Sequence, residues 1–203
     1  MPEMLDSSIL NRARELIKTE AQAIDLLATQ FDDNLPQIVE LLLNCQGHVL
    51  TLGAGTSRAV AQRFAHLLSC CGIPALALNS ADALHGGSGA IRKDDLLFVI
   101  SKGGLSAEIN QIATIAHERG ATIIAQTENA DSPLAQISDA VYHITTIGEV
   151  DPYDMVATGS SLVNSAAGDV LCVLLLELGG YSKKAFGKTH PGGAVGHKLN
   201  QVD

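Results

Sequence analysis

The sequence predicts an α/β fold in which a doubly wound sheet of five parallel strands is covered by helices on both faces. Five short apolar runs lie between residues 49 and 144, and segments with helical periodicity separate most of them. Continuous apolar strands that alternate with helices are typical of a parallel sheet that is buried on both sides. The predicted strands are Val49–Leu52, Ala75–Leu78, Leu96–Ile100, Thr122–Ala125 and Ala140–Ile144.

Helical patterns precede the first strand and connect the later ones. Apolar residues recur at steps of three and four from Ile9 to Leu27, and Pro36 falls in the first turn of a second predicted helix. Most of the later helices are expected to end at a glycine, because glycine readily takes the left-handed conformation that closes a helix. These helices are Ser57–Cys71, Ser106–Arg119, Ser132–Ile137 and about Ser160–Leu178.

The size of the chain fits one domain. Its 203 residues lie within the usual range for a single unit, and 46% hydrophobic with 17% charged residues exclude a disordered chain. The mean hydropathy of +0.20 indicates a well-buried interior. We expect an N-terminal helical segment over 1–46, an α/β core over 47–180 and a C-terminal tail over 181–203.

Charge and hydropathy exclude two classes of partner. The net charge is −9, and four Phe, three Tyr and no Trp leave few surfaces for stacking bases, so a nucleic-acid partner is not expected. The apolar stretch Val170–Leu176 is far shorter than a membrane span of about 20 residues. Met1–Asp6 has no signal pattern, so we expect a cytoplasmic protein without a membrane partner.

The cysteines and histidines do not predict a metal site. Cys45, Cys70, Cys71 and Cys172 form no Cys-x-x-Cys pair, and burial as small apolar side chains explains them better than a redox or metal role. The seven His residues contain no His-Glu-x-x-His pattern. We therefore expect neither a metal nor another cofactor.

The site of a doubly wound sheet lies beyond the carboxyl ends of its strands, and the first loop there is rich in glycine. Gly53-Ala-Gly55-Thr56-Ser57 differs from a dinucleotide-binding loop because Arg58 replaces the third glycine and Asn79 replaces the acidic residue after the second strand. Two interpretations remain. Gly55, Thr56 and Ser57 could bind an oxyanion at a helix N-terminus, or Ser57 could simply cap that helix.

The loop after the third strand predicts a phosphate cradle. Two hydroxyl groups flank two glycines just before a helix, so backbone N–H groups and the helix dipole could converge on an anion. The order of residues differs from a Walker loop, and Ser106 could alternatively serve only as a helix cap. The candidate ligands are Ser101, Lys102, Gly103, Gly104 and Ser106.

Three ionisable residues adjoin glycine or proline in predicted loops. His85 precedes Gly-Gly, Glu149 follows a glycine, and His190 precedes Pro-Gly-Gly. A histidine in a loop is more often a plain surface residue, but here the loops are expected to share a sheet edge with the phosphate cradle. That shared edge favours a functional interpretation.

The loops together resemble the sugar isomerase (SIS) domain, and most closely its arabinose-5-phosphate isomerase branch. The resemblance rests on Gly53-x-Gly55-x-Ser57, the Ser101–Ser106 loop, Thr158-Gly-Ser-Ser161 and His190-Pro-Gly-Gly193, and it covers nearly the whole chain. It implies a flavodoxin-like three-layer α/β/α sandwich, a homotetramer or at least a homodimer, and cofactor-free isomerisation of a phosphorylated aldose to a ketose. Members usually carry a pair of CBS domains as well, which we do not expect here.

The resemblance also implies which residues are catalytic. The family's four ionisable positions correspond to His85, Glu108, Glu149 and His190. Two positions depart from the family, because Thr56 stands where a lysine is usual and Lys102 replaces the middle hydroxyl of a Ser-x-Ser-Gly pattern. We expect Lys102 to supply part of the missing positive charge.

Isomerisation needs a base for the proton beside the carbonyl and groups that open the sugar ring. We expect Glu149 to be the base, with a pKa raised by partial burial, and Glu108 to be the second candidate. His85 and His190 are candidates for ring opening and enediolate stabilisation, and His190 could complete a neighbouring subunit's site. Two alternatives stay open: a non-catalytic phosphosugar sensor and a hexulose-6-phosphate 3-isomerase.

Overall fold

The sheet has five strands, all parallel, in the order β2-β1-β3-β4-β5. The computed structural model describes residues 2–192 and residue 196. The predicted doubly wound α/β fold is confirmed, and β3 has the predicted bounds. The strands are β1 (Val49–Gly53), β2 (Ala75–Ala77), β3 (Leu96–Ile100), β4 (Thr122–Thr127) and β5 (Ala140–His143).

The predicted helices are all present, and their ends differ from the predicted bounds by at most one residue, except that the first helix begins at Pro2, seven residues before Ile9. Three further elements were not predicted: the four-residue helix α4, a 3-10 turn over Gly87–Ala90, and α8. Elements of four residues are too short to show a helical period in the sequence. The helices are α1 (Pro2–Leu27), α2 (Asn34–Leu43), α3 (Thr56–Cys70), α4 (Ser80–Ala83), α5 (Ala107–Glu118), α6 (Pro133–Gln136), α7 (Gly159–Leu178) and α8 (Lys183–Thr189).

Alternating residues of the central strands β1, β3 and β4 enter two separate apolar layers. On β3, Leu96, Phe98 and Ile100 face one side of the sheet and pack with α1, α2, α3 and α7. Leu97 and Val99 face the other side and pack with α4, α5 and α6. All five β3 residues are buried, which explains why the strand reads as a continuous apolar run. The result is the predicted three-layer sandwich.

Helix α7 is the one described helix whose length and composition would allow it to cross a membrane. Its residues Val163, Ala167, Leu171 and Leu175 are buried against the neighbouring helices. A core helix passes the same test of length and composition, and this packing is that of a core helix.

The topology places the carboxyl ends of β1 and β3 side by side at the point where the winding of the sheet reverses. Gly53 of β1 pairs in register with Ile100 of β3. The chain crosses from β1 to β2 at one edge of the sheet, whereas from β3 it crosses to β4, toward the opposite edge. Ligands of doubly wound sheets bind at this reversal, because the two following loops separate and leave a crevice.

Candidate functional site

A cavity of about 220 Å³ lies at this reversal, between the loops that follow β1 and β3. It brings together the predicted Ser57, Ser101, Lys102, Gly103 and Ser106. Three predicted residues are outside the lining: Gly55 and Thr56 lie exposed at the start of α3, and Gly104 is buried. The lining residues are Ala54, Ser57, Ile100, Ser101, Lys102, Gly103, Leu105, Ser106 and Ile109.

Two helices begin at this cavity. Gly55, with φ at 55°, is the N-cap of α3, so the interpretation of Ser57 as the cap was wrong. Ser106 is the N-cap of α5, but its side chain makes no capping hydrogen bond. Two serine hydroxyls and two helix N-termini therefore face a common space, an arrangement that attracts an anion.

Gly104 sets the path of the cradle loop. Its φ is 64°, and a Cβ atom at this position would overlap the side chain of Ser132, the N-cap of α6. The carbonyl of Gly104 accepts a hydrogen bond from Asn110 Nδ2 at 3.1 Å, and its N–H donates to Ser101 O at 3.1 Å. The loop is thus held on both sides and depends on a residue without a side chain.

Lys102 lies between the cavity and Glu149. Its backbone carbonyl accepts hydrogen bonds from Thr127 Oγ1 at 2.9 Å and from the N–H of Glu128 at 2.8 Å, which tie it to the end of β4. Its Nζ atom is 3.3 Å from Glu149 Oε1. The same lysine therefore lines the cavity and pairs with the expected base.

Glu149 is covered by its neighbours, and its side chain is 4% exposed. Oε2 accepts a hydrogen bond from the N–H of Ser160 at 3.1 Å, in the first turn of α7. The backbone N–H of Glu149 donates to Asp154 Oδ1 at 2.6 Å. Both carboxylate oxygens are consequently engaged, one by a helix terminus and the other by Lys102.

The ionisation of Glu149 differs from the expectation. Burial raises the pKa of the Glu149 carboxyl, but hydrogen bonds from Ser160 and the ammonium group of Lys102 outweigh this effect, so the pKa lies below its ordinary value. The prediction of a raised pKa was wrong, because the sequence did not place these partners at the carboxylate. Glu149 is therefore ionised at neutral pH.

The low pKa of Glu149 predicts a component of stability that is lost in acid. A glutamate in the unfolded chain has a pKa of about 4.3. The contacts of the Glu149 carboxylate therefore contribute fully to the free energy of unfolding above that pH, and this contribution is lost as the pH falls through the lower pKa of the folded state. We expect the difference in unfolding free energy between wild type and Glu149→Gln to shrink from about pH 6 to about pH 3. Urea unfolding measures this difference, and a constant or growing value would contradict the ionised pair.

A buried polar network behind Glu149 was not predicted. Asn164 Nδ2 donates to Ser160 O at 2.8 Å, and Gln126 Nε2 donates to Asn164 Oδ1 at 2.6 Å. The carbonyl of Gln126 accepts a hydrogen bond from the N–H of Ser101 at 3.0 Å, which connects the network to the cradle. The available signal was polar residues in otherwise apolar segments: Gln126 follows the apolar residues of β4, and Asn164 interrupts the apolar helix α7.

His85 and Glu108 lie at the same edge of the sheet but are not joined to Glu149. His85 is exposed between α4 and the 3-10 turn, and its backbone N–H donates to Asp82 O at 3.0 Å. Glu108 is exposed in the first turn of α5, against which both of those elements pack. Within residues 2–192, no hydrogen bond or ion pair connects either side chain to Glu149.

His190 lies at the other end of the molecule within its own chain. Its Nε2 atom is 3.3 Å from Cys70 Sγ, and its ring stacks on Phe186 at 3.8 Å between centroids. Cys70 is the last residue of α3, about 20 Å along that helix from Ser57. A chain therefore cannot bring its own His190 to its own cavity in this conformation, and Gly193 of the same motif lies outside the described residues.

The cysteines are free thiols in the part of the chain that the structure describes. Cys172 is buried, and the other three are partly buried. Burial raises the pKa of Cys45, Cys71 and Cys172, which keeps these thiols protonated at neutral pH. Such thiols behave as small apolar side chains, as the sequence predicted for them.

Comparison with known proteins gives the same fold and a consistent set of relatives. The SIS domain model matches residues 42–174. The arabinose 5-phosphate isomerase KdsD of Pseudomonas aeruginosa is 34% identical over 199 residues, which cover 98% of this chain and 60% of that protein. The chain thus spans about 60% of the length of this relative.

Two solved structures are similar over nearly their whole length. A provisionally assigned sugar-phosphate isomerase of Listeria monocytogenes has a TM-score of 0.89 and 34% identity, and the match covers 92% of this chain and 98% of that one. The protein c3406 of Escherichia coli CFT073, in complex with arabinose 5-phosphate, has a TM-score of 0.88 and 26% identity, with 91% and 98% covered.

Proposed function

The chain belongs to the SIS domain family, and from that premise we propose that it is a sugar-phosphate isomerase that interconverts an aldose and a ketose. D-Arabinose 5-phosphate and D-ribulose 5-phosphate are the first pair to test, since KdsD of Pseudomonas aeruginosa is an arabinose 5-phosphate isomerase. The observation that carries the proposal is the anion cavity beside the Lys102–Glu149 pair.

The phosphate group would occupy the cavity. The N-termini of α3 and α5, the hydroxyls of Ser57, Ser101 and Ser106, and the ammonium group of Lys102 all favour a dianion there. Binding of this remote group would hold the sugar in register, so that its energy supports orientation at the reacting carbons.

Glu149 would transfer the proton between the two reacting carbons. Its ionised carboxylate can remove the proton beside the carbonyl and return it to the adjacent carbon, through an enediolate intermediate. Glu108 is the second candidate for this role. His85 and His190 are proposed for ring opening and for stabilising the enediolate oxygen, and no cofactor is needed for these steps.

A homotetramer, or at least a homodimer, would supply His190 from a neighbouring subunit. The case for assembly is the apolar surface of α1 and α7, where Ile9, Ile17, Val173 and Leu178 are all more than half exposed. The homotetramer, the cytoplasmic location and a single domain over 1–203 with the boundaries given above stay predictions.

Mixing two inactive variants tests whether His190 acts across an interface. His190→Ala and Glu149→Gln each remove one group from a site, but an assembly of both chains contains sites with both groups intact if they come from different subunits. Random reassembly of equal amounts should restore about a quarter of wild-type turnover. Activity that stays at the level of the separate variants would contradict a shared site, because neither chain carries both groups.

The proposed activity is tested by NMR in D₂O with a panel of pentose and hexose phosphates. Isomerisation through an enediolate should place deuterium on the carbon beside the carbonyl of at least one sugar phosphate, and D-arabinose without phosphate is the matched control. We expect exchange in the phosphorylated sugar to exceed that in the control by orders of magnitude. A panel without any exchange would overturn the isomerase proposal.

A phosphosugar sensor is the second candidate, and a specific feature favours it. Glu149 is covered, with both oxygens engaged, so it cannot contact a sugar in this conformation. In addition, Thr56 occupies the position at which the family usually has a lysine. Tight binding of a sugar phosphate together with no deuterium exchange would distinguish the sensor from the enzyme.

A further inference from the structure

We propose that Lys102 couples phosphate binding to the exposure of Glu149: a dianion in the cavity draws the ammonium group away from the carboxylate and thereby frees the base. This inference rests on the proposed function, because it concerns how that site is switched on. Lys102 is then a positioning residue that acts through Glu149, in addition to its role as a phosphate ligand.

The first observation is that Lys102 both lines the cavity and forms an ion pair with Glu149. Lys102 lines the cavity with Ser57 and Ser106, while its Nζ atom lies 3.3 Å from Glu149 Oε1. The backbone of Lys102 is fixed by the end of β4, but its side chain is 41% exposed. A four-carbon stem on a fixed backbone can move its ammonium group between two acceptors without a change in the fold.

The second observation is that neither carboxylate oxygen of Glu149 is free while Lys102 is paired with it. The carboxylate has one oxygen on the N–H of Ser160 and the other on Lys102, and only 4% of the side chain is exposed. A general base must come within hydrogen-bond reach of the proton that it removes. Movement of Lys102 would free Oε1 for the sugar, while Ser160 would keep Oε2 in place.

The charges determine the direction of the movement. A phosphate dianion carries twice the charge of the carboxylate and would share the cavity with two helix N-termini, so it competes strongly for the ammonium group. The other groups that face Glu149 are the N-terminus of α7 at Ser160 and the carboxylate of Asp154, which accepts the backbone N–H of Glu149. Ser160 and Asp154 lie within 11 residues of Glu149 along the chain and fix its position. Lys102 comes from another loop, so it is the partner whose ammonium group the ligand can draw away.

Loss of Lys102 would also strengthen the base. Its hydrogen bond and charge help to keep the pKa of Glu149 below its ordinary value, whereas burial alone would raise the pKa. A bound phosphosugar would therefore meet a carboxylate with a higher proton affinity than a neutral sugar would meet. The site would in this way favour phosphorylated substrates in the chemical step as well as in binding.

The test is a titration of Glu149 followed by NMR, with sulfate as the probe. Sulfate stays a dianion throughout the pH range in which a glutamate titrates, and ¹³C labelling of glutamate carboxyl carbons reports Glu149, assigned by its loss in Glu149→Gln. The amide signals of Gly103 and Gly104 report occupancy of the cavity. In the wild type we expect saturating sulfate to raise the pKa of Glu149 by about one unit or more, relative to chloride at equal ionic strength.

Two variants separate movement of Lys102 from simple repulsion by the anion. In Lys102→Met, the pKa of Glu149 should already be raised without sulfate and should change little on its addition. In Lys102→Arg, which keeps the positive charge, the response to sulfate should persist. An equal response in wild type and Lys102→Met would overturn the coupling, because direct repulsion would then explain it.

The remaining outcomes are also decisive. Sulfate that shifts Gly103 and Gly104 in the wild type but leaves the titration of Glu149 unchanged would refute the coupling and leave the cavity as an anion site. Sulfate that shifts neither glycine would refute the cavity and the coupling together. Deuterium exchange with sugar phosphates is measured separately. Its absence would refute the isomerase proposal, whatever the titration of Glu149 shows.

Discussion

Replacement of Glu149 by glutamine is expected to lower the turnover of the sugar phosphate by about 10²–10⁴-fold. Glutamine has nearly the same shape and can still accept the hydrogen bond from the N–H of Ser160, so the start of α7 should keep its structure. The amide cannot take up a proton from carbon, however, and the transfer step loses its base. Deuterium exchange and turnover, measured on the same protein preparation, give the size of the effect.

Glu108→Gln is the matched control for this experiment. Glu108 lies exposed in the first turn of α5 and makes no hydrogen bond with Glu149 within residues 2–192. We expect a smaller loss of turnover from this change than from Glu149→Gln. A Glu149→Gln protein within a few-fold of wild type would exclude Glu149 as the base, and a large loss in Glu108→Gln alongside it would assign that role to Glu108.

The second large effect is expected at Gly104. An alanine there must adopt a φ of 64° and place its methyl group against Ser132, so we expect a loss of about 2–4 kcal/mol in the free energy of unfolding from backbone strain and overlap together. Relief of the overlap would shift the loop and misplace the N–H groups of the cradle. Hydrogen bonds to a charged group are worth about 1.5–3 kcal/mol each, so anion binding should weaken by about tenfold or more.

The adjacent glycine gives a control in the same loop. A Cβ atom at Gly103 would meet Leu105 at 4.0 Å, which is ordinary contact, and Gly103 has no positive φ. Gly103→Ala should therefore stay within about 0.5 kcal/mol of wild type in urea unfolding. Equal destabilisation by the two substitutions would show that the conformation of Gly104 is not what holds the cradle.

The sequence predicted the elements well because the signals that define them are local. All five residues of the strand Leu96–Ile100 are buried and therefore apolar, and an unbroken apolar run of that length can be recognised in the sequence alone. The cradle could be predicted for a similar reason. Glycines between hydroxyl residues, placed between a strand and a helix, predict from composition and order alone a loop that could bind an anion, and the structure places this loop at a cavity.

The state of Glu149 shows where that approach ends. Its position beside a glycine predicted a loop residue, and its expected role as the base suggested a pKa raised by partial burial. The partners that lower this pKa are distant in sequence, since Lys102 lies 47 residues away along the chain and Ser160 lies 11 away. The fold brings Lys102 of the loop after β3 and Ser160 of the first turn of α7 to the same carboxylate. The sign of the pKa shift follows from these contacts and not from burial alone.

The position of His190 is a further case. Its motif could be recognised in the sequence, but only the fold places its ring on Phe186 and Cys70, at the far end of α3 from the cavity. The sequence by itself determined the strands, the longer helices and the loop that lines the cavity after β3, because the burial period and turn chemistry act between near neighbours. Only the tertiary structure decided which charges meet and which predicted side chains lie far from the cavity, because those contacts join segments whose separation along the chain carries no information about their distance in space.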